Sequence, residues 1–212
     1  MLPEISHSNI TELNDVSAAY LFYDETKPDS VELNRKNLIS TTNWLINVDK
    51  RLTLKQVIPH IKFLQEKKAN SSHKNKNAKN YFTCNDTSRK NLGFIEFTDI
   101  MYSNQTVRDF YEKYSKKERE KIDQIIYLEL ISLDSIPVHF DTGKCGTRYL
   151  TNENDLLNGI KSDLLHYGNI KVDIGYNKNL SFQDYIRIKS KLKSFDLGHA
   201  KISNHEFIID SQ

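Results

Sequence analysis

The stretch Ile170–Ile209, IKVDIGYNKNLSFQDYIRIKSKLKSFDLGHAKISNHEFII, decides the fold. It reads as strand, turn, helix, turn, strand. Ile170, Val172 and Ile174 alternate with Lys171 and Asp173, the period-2 signature of a half-buried strand. Gly175 to Asn179 is turn chemistry. Ser181 stands at a helix N-cap with Asp184 three residues on, the spacing of a capping box, in which side chains satisfy backbone N–H groups left over at a helix start. Phe182, Tyr185, Ile186, Lys189 and Leu192 then recur at helical spacing. Gly198 marks the helix exit, and Ala200, Ile202, Phe207, Ile208 and Ile209 supply a returning strand.

The pattern occurs twice. Ile46–Ile58 lies against Ile174–Ile186 without a gap, so that Lys50 matches Lys178, Leu52 matches Leu180, Ile58 matches Ile186 and Leu64 matches Leu192. Thr53 and Gln56 reproduce the cap and its partner. Convergence of two capped strand-to-helix junctions is the alternative, but caps, turn lysine and apolar positions agreeing in one register favour an internal repeat. Residues 44–64 and 172–192 are therefore expected to adopt matching strand-turn-helix structures.

At 212 residues with 38% hydrophobic content, including 11 Tyr and 10 Phe, the chain can bury a core in one large or two small domains. A formal net charge of +2 argues against a dedicated nucleic-acid or membrane-surface protein. Cys84 and Cys145 define no metal framework; whether they pair depends on compartment and on the fold. No apolar run is long enough to span a bilayer, and the Met1–Glu4 start has neither the basic nor the apolar region of a signal peptide. That start suits a cytosolic protein or a soluble piece of a longer chain.

Along the rest of the chain, Ala18–Tyr23 reads as a strand or anchoring segment, Pro28–Ser30 as a turn, and Val31–Ser40 as a short strand or helical turn. Trp44–Val48 is the strand of the first repeat and Thr53 to about Lys67 its helix, with Pro59 expected to kink or shorten it. Residues 67–91 read as a polar insertion rich in Lys and Asn, more simply a solvated loop than an anionic-partner contact. Leu92–Phe97 reads as a strand returning from the first repeat. Thr106 to about Leu133 gives the strongest helical pattern, as two helices or one broken near Tyr114, with Ser115 and Glu118 as a second cap. Ile136–Thr147 tempts a chemical reading through Asp134, His139, Asp141 and Cys145. It lacks the glycine of a phosphate-binding loop, because Val138 holds that place, and it matches no zinc spacing, so a hairpin or connecting loop accounts for it more simply. Arg148–Thr151 is a short strand; Asn152 and Asp155 cap a helix carrying Leu156, Leu157, Ile160, Leu164 and Leu165, ended by Gly168.

Residues 148–209 thus run strand, helix, strand, helix, strand, and NIKVDIGYNKNLSFQDYIRIKSKLKSFDLGHAKIS resembles in order and length the periplasmic domain of the ExbD/TolR family of biopolymer-transport proteins. VDKRLTLKQVIPHIKFL is similar to a further copy of that family's strand-turn-helix core, and Leu2-Pro3-Glu4 to the segment that follows its transmembrane helix. The family's mechanism rests on an aspartate inside that membrane helix. No such helix is present in this sequence, so no proton-carrying residue is transferred.

The expected fold is α/β, with α+β as the alternative: two related strand-helix-strand units with helices on a small mixed sheet, and a helical insert. The expected regions are 1–100, holding the first repeat and the 67–91 insertion; 101–147, a helical connector; and 148–212, the ExbD/TolR-like unit. The resemblance implies a non-enzymatic interaction module, periplasmic and inner-membrane-associated if a membrane helix precedes it, otherwise cytoplasmic. It implies protein partners of a TonB/ExbB-like complex, or a second copy in a homodimer, and neither cofactor, metal nor nucleic acid. Strand addition at the Ile170–Tyr176 strand is expected, with Asp173 and Tyr176 as exposed binding residues. The alternatives are a hydrolase or metal-dependent enzyme with a site near residues 134–145, and a cytosolic protein binding an anionic partner.

Overall fold

The structure, a computed structural model, describes residues 1–73, 75–112, 122, 124–141, 148–164, 169–194, 198 and 200–210. It is a mixed α/β protein with two mixed sheets of six strands each. Two compact units divide the chain: residues 1–99 with 181–190, and residues 100–180 with 191–212. This differs from the three-part reading of the sequence, because the middle region supplies strands and the second repeat's helix contributes to the first unit.

The first unit contains β1 (Glu4–Ile5), β2 (Val16–Tyr23), β3 (Val31–Asn34), β4 (Asn43–Val48), α1 (Leu54–Ala69), β5 (Asn80–Asp86) and β6 (Asn91–Glu96). β4 lies between β2 and β5, parallel to both; β3 is antiparallel to β2, β6 antiparallel to β5, and β1 pairs with the far end of β5. Alternation explains the strands: in β4, Trp44, Ile46 and Val48 are buried while Asn43, Leu45 and Asn47 are half-buried. α1 buries Leu54, Val57, Ile58, Ile61 and Leu64. Phe82 of β5 is fully buried, stacked on Phe97 at 3.9 Å, with Phe182 and Tyr185 edge-on at 5.2 and 6.2 Å.

The second unit contains β7 (Met101–Ser103), α2 (Val107–Glu112), β8 (Gln124–Leu130), β9 (Ile136–Asp141), β10 (Arg148–Thr151), α3 (Leu156–Leu164), β11 (Ile170–Asn177) and β12 (Ala200–Ile209); α4 (Phe182–Ser194) joins the last two strands in the sequence, and its residues up to Ser190 belong to the first unit. The strand order is β10-β9-β8-β11-β12-β7. β11 is parallel to β8 and β12, and β9 is antiparallel to β8. The order β9-β8-β11-β12 therefore repeats β3-β2-β4-β5 with the same strand senses: a hairpin, a parallel strand, a crossover helix and a second parallel strand.

The repeat extends to atoms. Asp49 and Asn177 occupy matching positions, and each side-chain Oδ1 accepts the backbone N–H two residues on, from Arg51 at 3.1 Å and from Asn179 at 2.8 Å. The carbonyls of Asp49 and Asn177 accept the N–H of Leu52 at 3.1 Å and of Leu180 at 3.0 Å. These are Asx-turns, which use a short polar side chain to close a turn. Gln56 Oε1 accepts the Thr53 N–H at 2.8 Å, and Ser181 Oγ accepts the Asp184 N–H at 3.1 Å while donating to Asp184 Oδ2 at 2.7 Å. Gly198 has φ +58°, the left-handed conformation glycine adopts readily and the reason it follows a helix here.

Several sequence expectations are corrected. Pro59 does not shorten α1, which runs to Ala69; buried Val57, Ile58, Ile61 and Leu64 hold it on both sides of the missing N–H. The 67–91 stretch is not a loop throughout. Its Asn80–Asp86 part is β5, the parallel strand returning from α1, and β6 at Asn91–Glu96 is its antiparallel partner instead of the return strand. The helix expected over 106–133 is confined, among the described residues, to Val107–Glu112, and Gln124–Leu130 is a strand in which Gln124, Ile126, Leu128 and Leu130 are buried and the intervening residues half-buried. Ile125 and Ile126 are β-branched, and period 2 outweighs the helical spacing there. The Ser115–Glu118 cap, Gly143, Gly146, Cys145 and Gly168 lie outside the described residues.

Candidate interaction site

The expected binding residues are not at an edge. β11 is paired along both sides, with β8 and with β12, and Asp173 and Tyr176 are fully buried. Strand addition at β11 is thereby corrected: its backbone groups are engaged by two neighbours, and both side chains are buried instead of exposed. The half-buried alternation expected of this strand does not hold: seven of the eight residues of β11 are buried and only Lys171 is half-buried, so both faces are covered. Lys171 Nζ lies 3.6 Å from Asp173 Oδ1, which offsets the cost of burying that carboxylate.

The register does bring together two residues the sequence singled out separately. Asp173 pairs across the ladder with Tyr127, and Tyr127 pairs with His139. His139 Nε2 is 3.3 Å from Glu129 Oε2, and the Tyr127 and His139 rings are 5.7 Å apart. Burial pushes the Tyr127 phenol up, further helped by Glu129 and Asp173. Asp134 lies instead in the turn before β9, more than about 10 Å along the chain from His139 at ~3.3 Å per residue. Among the described residues, no group of three or more His, Cys, Asp and Glu is arranged to hold a metal ion. Cys84 is buried in β5, and burial pushes its thiol up.

Among the described residues the strands with a single neighbour are β3, β6 and the two-residue β1 in the first unit, and β10 and β7 in the second. β6 is covered at its centre: the Phe94 N–H donates to Ile10 O at 3.0 Å and to Ser8 Oγ at 3.1 Å. β10 carries Leu150, 67% exposed, on a four-residue strand.

β3 has the most developed surroundings. Pro28–Ser30 turns the chain into it, and the Asp24 N–H donates to Ser30 O at 3.0 Å. Hydrogen-bonded and non-hydrogen-bonded pairs alternate in an antiparallel ladder. With 24 opposite 30 hydrogen-bonded, Glu32 and Asn34 direct their backbone groups at β2, and Val31 and Leu33 direct theirs outward. That outer side opens on a cleft of about 460 Å³ lined by Glu32–Lys36, Leu38 and Lys67. Lys67 comes from the last turn of α1. One turn back, the Phe63 ring lies 5.0 Å beneath the Arg35 guanidinium, a cation–π contact that holds Arg35 toward the helix. On the neighbouring strand Tyr20 and Phe22 stack at 5.6 Å and stand exposed. The Val31–Asn34 alternation was visible in the sequence, but four residues carry too little period to separate a strand from a helical turn.

Comparison with protein-family models, with curated proteins and with solved structures finds no match for this chain.

Proposed function

We propose that this chain is a non-enzymatic interaction module similar to the periplasmic domain of the ExbD/TolR family, and that it takes up an extended segment of a partner protein by strand addition at β3. The observation that carries the reading is the β3 edge itself. Its outward backbone faces a cleft that α1 reaches through Lys67, an arrangement in which an added strand gains main-chain hydrogen bonds and side-chain contacts. The resemblance is read from residues 148–209, which run β10, α3, β11, α4, β12, and the first unit repeats the hairpin-strand-helix-strand order of the second. On this reading the partner is a TonB-like protein of a complex driven by the proton gradient, and the chain works in the periplasm, attached to the inner membrane. No helix among the described residues is long and apolar enough to cross a membrane.

The test is an NMR titration of the labelled chain with peptides from the periplasmic part of a co-encoded TonB-like protein. Amide shifts concentrated at Val31–Lys36 and around Lys67 are expected. Absence of binding at millimolar peptide, or shifts confined to other residues, would overturn strand addition at β3.

A further inference from the structure

We propose that the β3–α1 cleft selects an acidic partner segment, one that places its carboxylates at the Arg35 end of the cleft. The inference rests on the strand-addition reading and adds the chemistry of the occupant.

Three cations and one anion line the cleft: Arg35, Lys36 and Lys67 against Glu32. The cations gather where β3 ends and α1 terminates, and Glu32 stands toward the start of the strand. Arg35, Lys36, Lys67 and Glu32 are all exposed, so their charges are available to a ligand. None of the ion pairs among the described residues involves Arg35, Lys36 or Lys67. Arg35 is held in place by Phe63 while its guanidinium stays free to take a carboxylate in a bidentate pair. Leu33 and Leu38 are half-buried and give the cleft an apolar component. A strand added at Leu33 presents alternate side chains to that component and to the cationic end.

The same charges could attract a nucleic acid, but the cleft does not suit one. Glu32 repels phosphate at one end, Phe63 has the Arg35 guanidinium over its face, and the exposed Tyr20 and Phe22 rings on β2 are not among the residues that line the cleft. The outward backbone of Val31 and Leu33 is matched by a peptide backbone.

The experiment measures fluorescence anisotropy of the full chain with a labelled ten-residue peptide of alternating Val and Thr that carries two Glu at one end. An otherwise identical peptide carries Gln, and a single-stranded oligonucleotide serves as competitor. The Glu peptide is expected to bind about tenfold tighter than the Gln peptide at low salt, the sum of a few exposed charge pairs, with the difference shrinking as salt is raised. Arg35→Glu with Lys67→Glu should reverse the preference while the circular dichroism spectrum stays unchanged. Leu33→Pro should weaken both peptides alike by removing the outward N–H. Equal affinity of the Glu and Gln peptides overturns the charge selection and leaves strand addition standing. If neither peptide binds, both readings fall. Displacement of the Glu peptide by oligonucleotide at lower concentration than by unlabelled Glu peptide overturns the choice of a peptide as occupant.

Discussion

Thr53 and Ser181, the caps of two different helices, form an antiparallel bridge with each other. Around it the Phe182 N–H donates to Leu52 O at 2.6 Å and the Gln183 N–H to Lys50 O at 3.2 Å. The first N–H groups of α4 are thus satisfied by the turn of the first repeat. Thr53→Ala and Ser181→Ala should each cost about 1 kcal/mol, the usual loss for an N-cap hydroxyl. Because the residues touch, the double variant should depart from additivity by about 0.5 kcal/mol or more in urea unfolding. Strictly additive costs would mean that the two caps act separately.

Asp86 anchors the N-terminal segment. Its carboxylate is fully buried and accepts from Ser88 Oγ at 2.6 Å, and from the N–H groups of Ser8 at 2.8 Å, Ser88 at 3.0 Å and His7 at 3.2 Å. The Ser88 hydroxyl first, then these backbone donors, hold the carboxyl well below its usual range against the opposing effect of burial. A folded pKa below the unfolded 3.8 gives stability that is present in full above pH 4 or so and is lost as the pH falls further. Asp86→Asn should remove that acid-side slope in urea midpoints measured from pH 5 to pH 2. A slope unchanged in the variant would place the acid sensitivity elsewhere.

Lys68 should titrate within the working range of solution NMR. It is half-buried beside Trp44, 5.0 Å from the ring, and donates to Lys79 O at 3.0 Å and Asn80 Oδ1 at 2.9 Å. Burial pushes its pKa down from 10.5 to about 8. A lowered folded value means that the fold favours the neutral amine, so the contribution of Lys68 to stability rises as the pH climbs from 8 to above 10 and is lost as the pH falls back through 8. Side-chain carbon shifts of Lys68 followed against pH should show a midpoint near 8, and Lys68→Met should flatten the alkaline rise. A midpoint at the ordinary lysine value would show that the two acceptors and the Trp44 face outweigh burial.

Gly175 keeps the second sheet closed. A Cβ at this position would overlap the Tyr127 hydroxyl oxygen and lie 2.9 Å from Cζ. Gly175→Ala should therefore cost about 1–3 kcal/mol, as overpacked cores do. Tyr127→Leu in the same chain should recover much of the loss by clearing the ring. Failure of that rescue would place the strain in the backbone of β11 instead of the ring.

The repeat was legible because its signals are local: an Asx residue, a cap and apolar positions within about 20 residues, all in one register. What it did not disclose was how far the likeness extends. β2–β3 and β8–β9 are hairpins of matching order and sense, but their loops differ in length and have in common only an Asp-Ser pair before the second strand, Asp29-Ser30 and Asp134-Ser135, too short a signal to align them. β5 was hidden by composition. NYFTCND is buried at six of its seven positions, yet it sits among lysines and asparagines that read as solvent-exposed. β8 was misread because Ile125, Ile126, Leu128 and Leu130 satisfy a helical spacing and a strand alternation at once, and pairing with β9 and β11 selects the second. Asp173 and Tyr176 were misplaced for a related reason. A charged residue in an alternating strand ordinarily points at water, and nothing local announces that Lys171 accompanies it into the interior.

The first unit is discontinuous in the sequence, and this governs the order in which it can be made. When residue 99 leaves the ribosome, about eighty residues must still be synthesised before Phe182 and Tyr185 exist to cover Phe82. Until then Phe82 has its stacking partner Phe97 but neither of its edge-on partners, and the inner face of the first sheet is only partly covered. Severing the gene between codons 99 and 100 would yield a first half permanently in that condition. The first unit is complete only once the helix of the second repeat has been made.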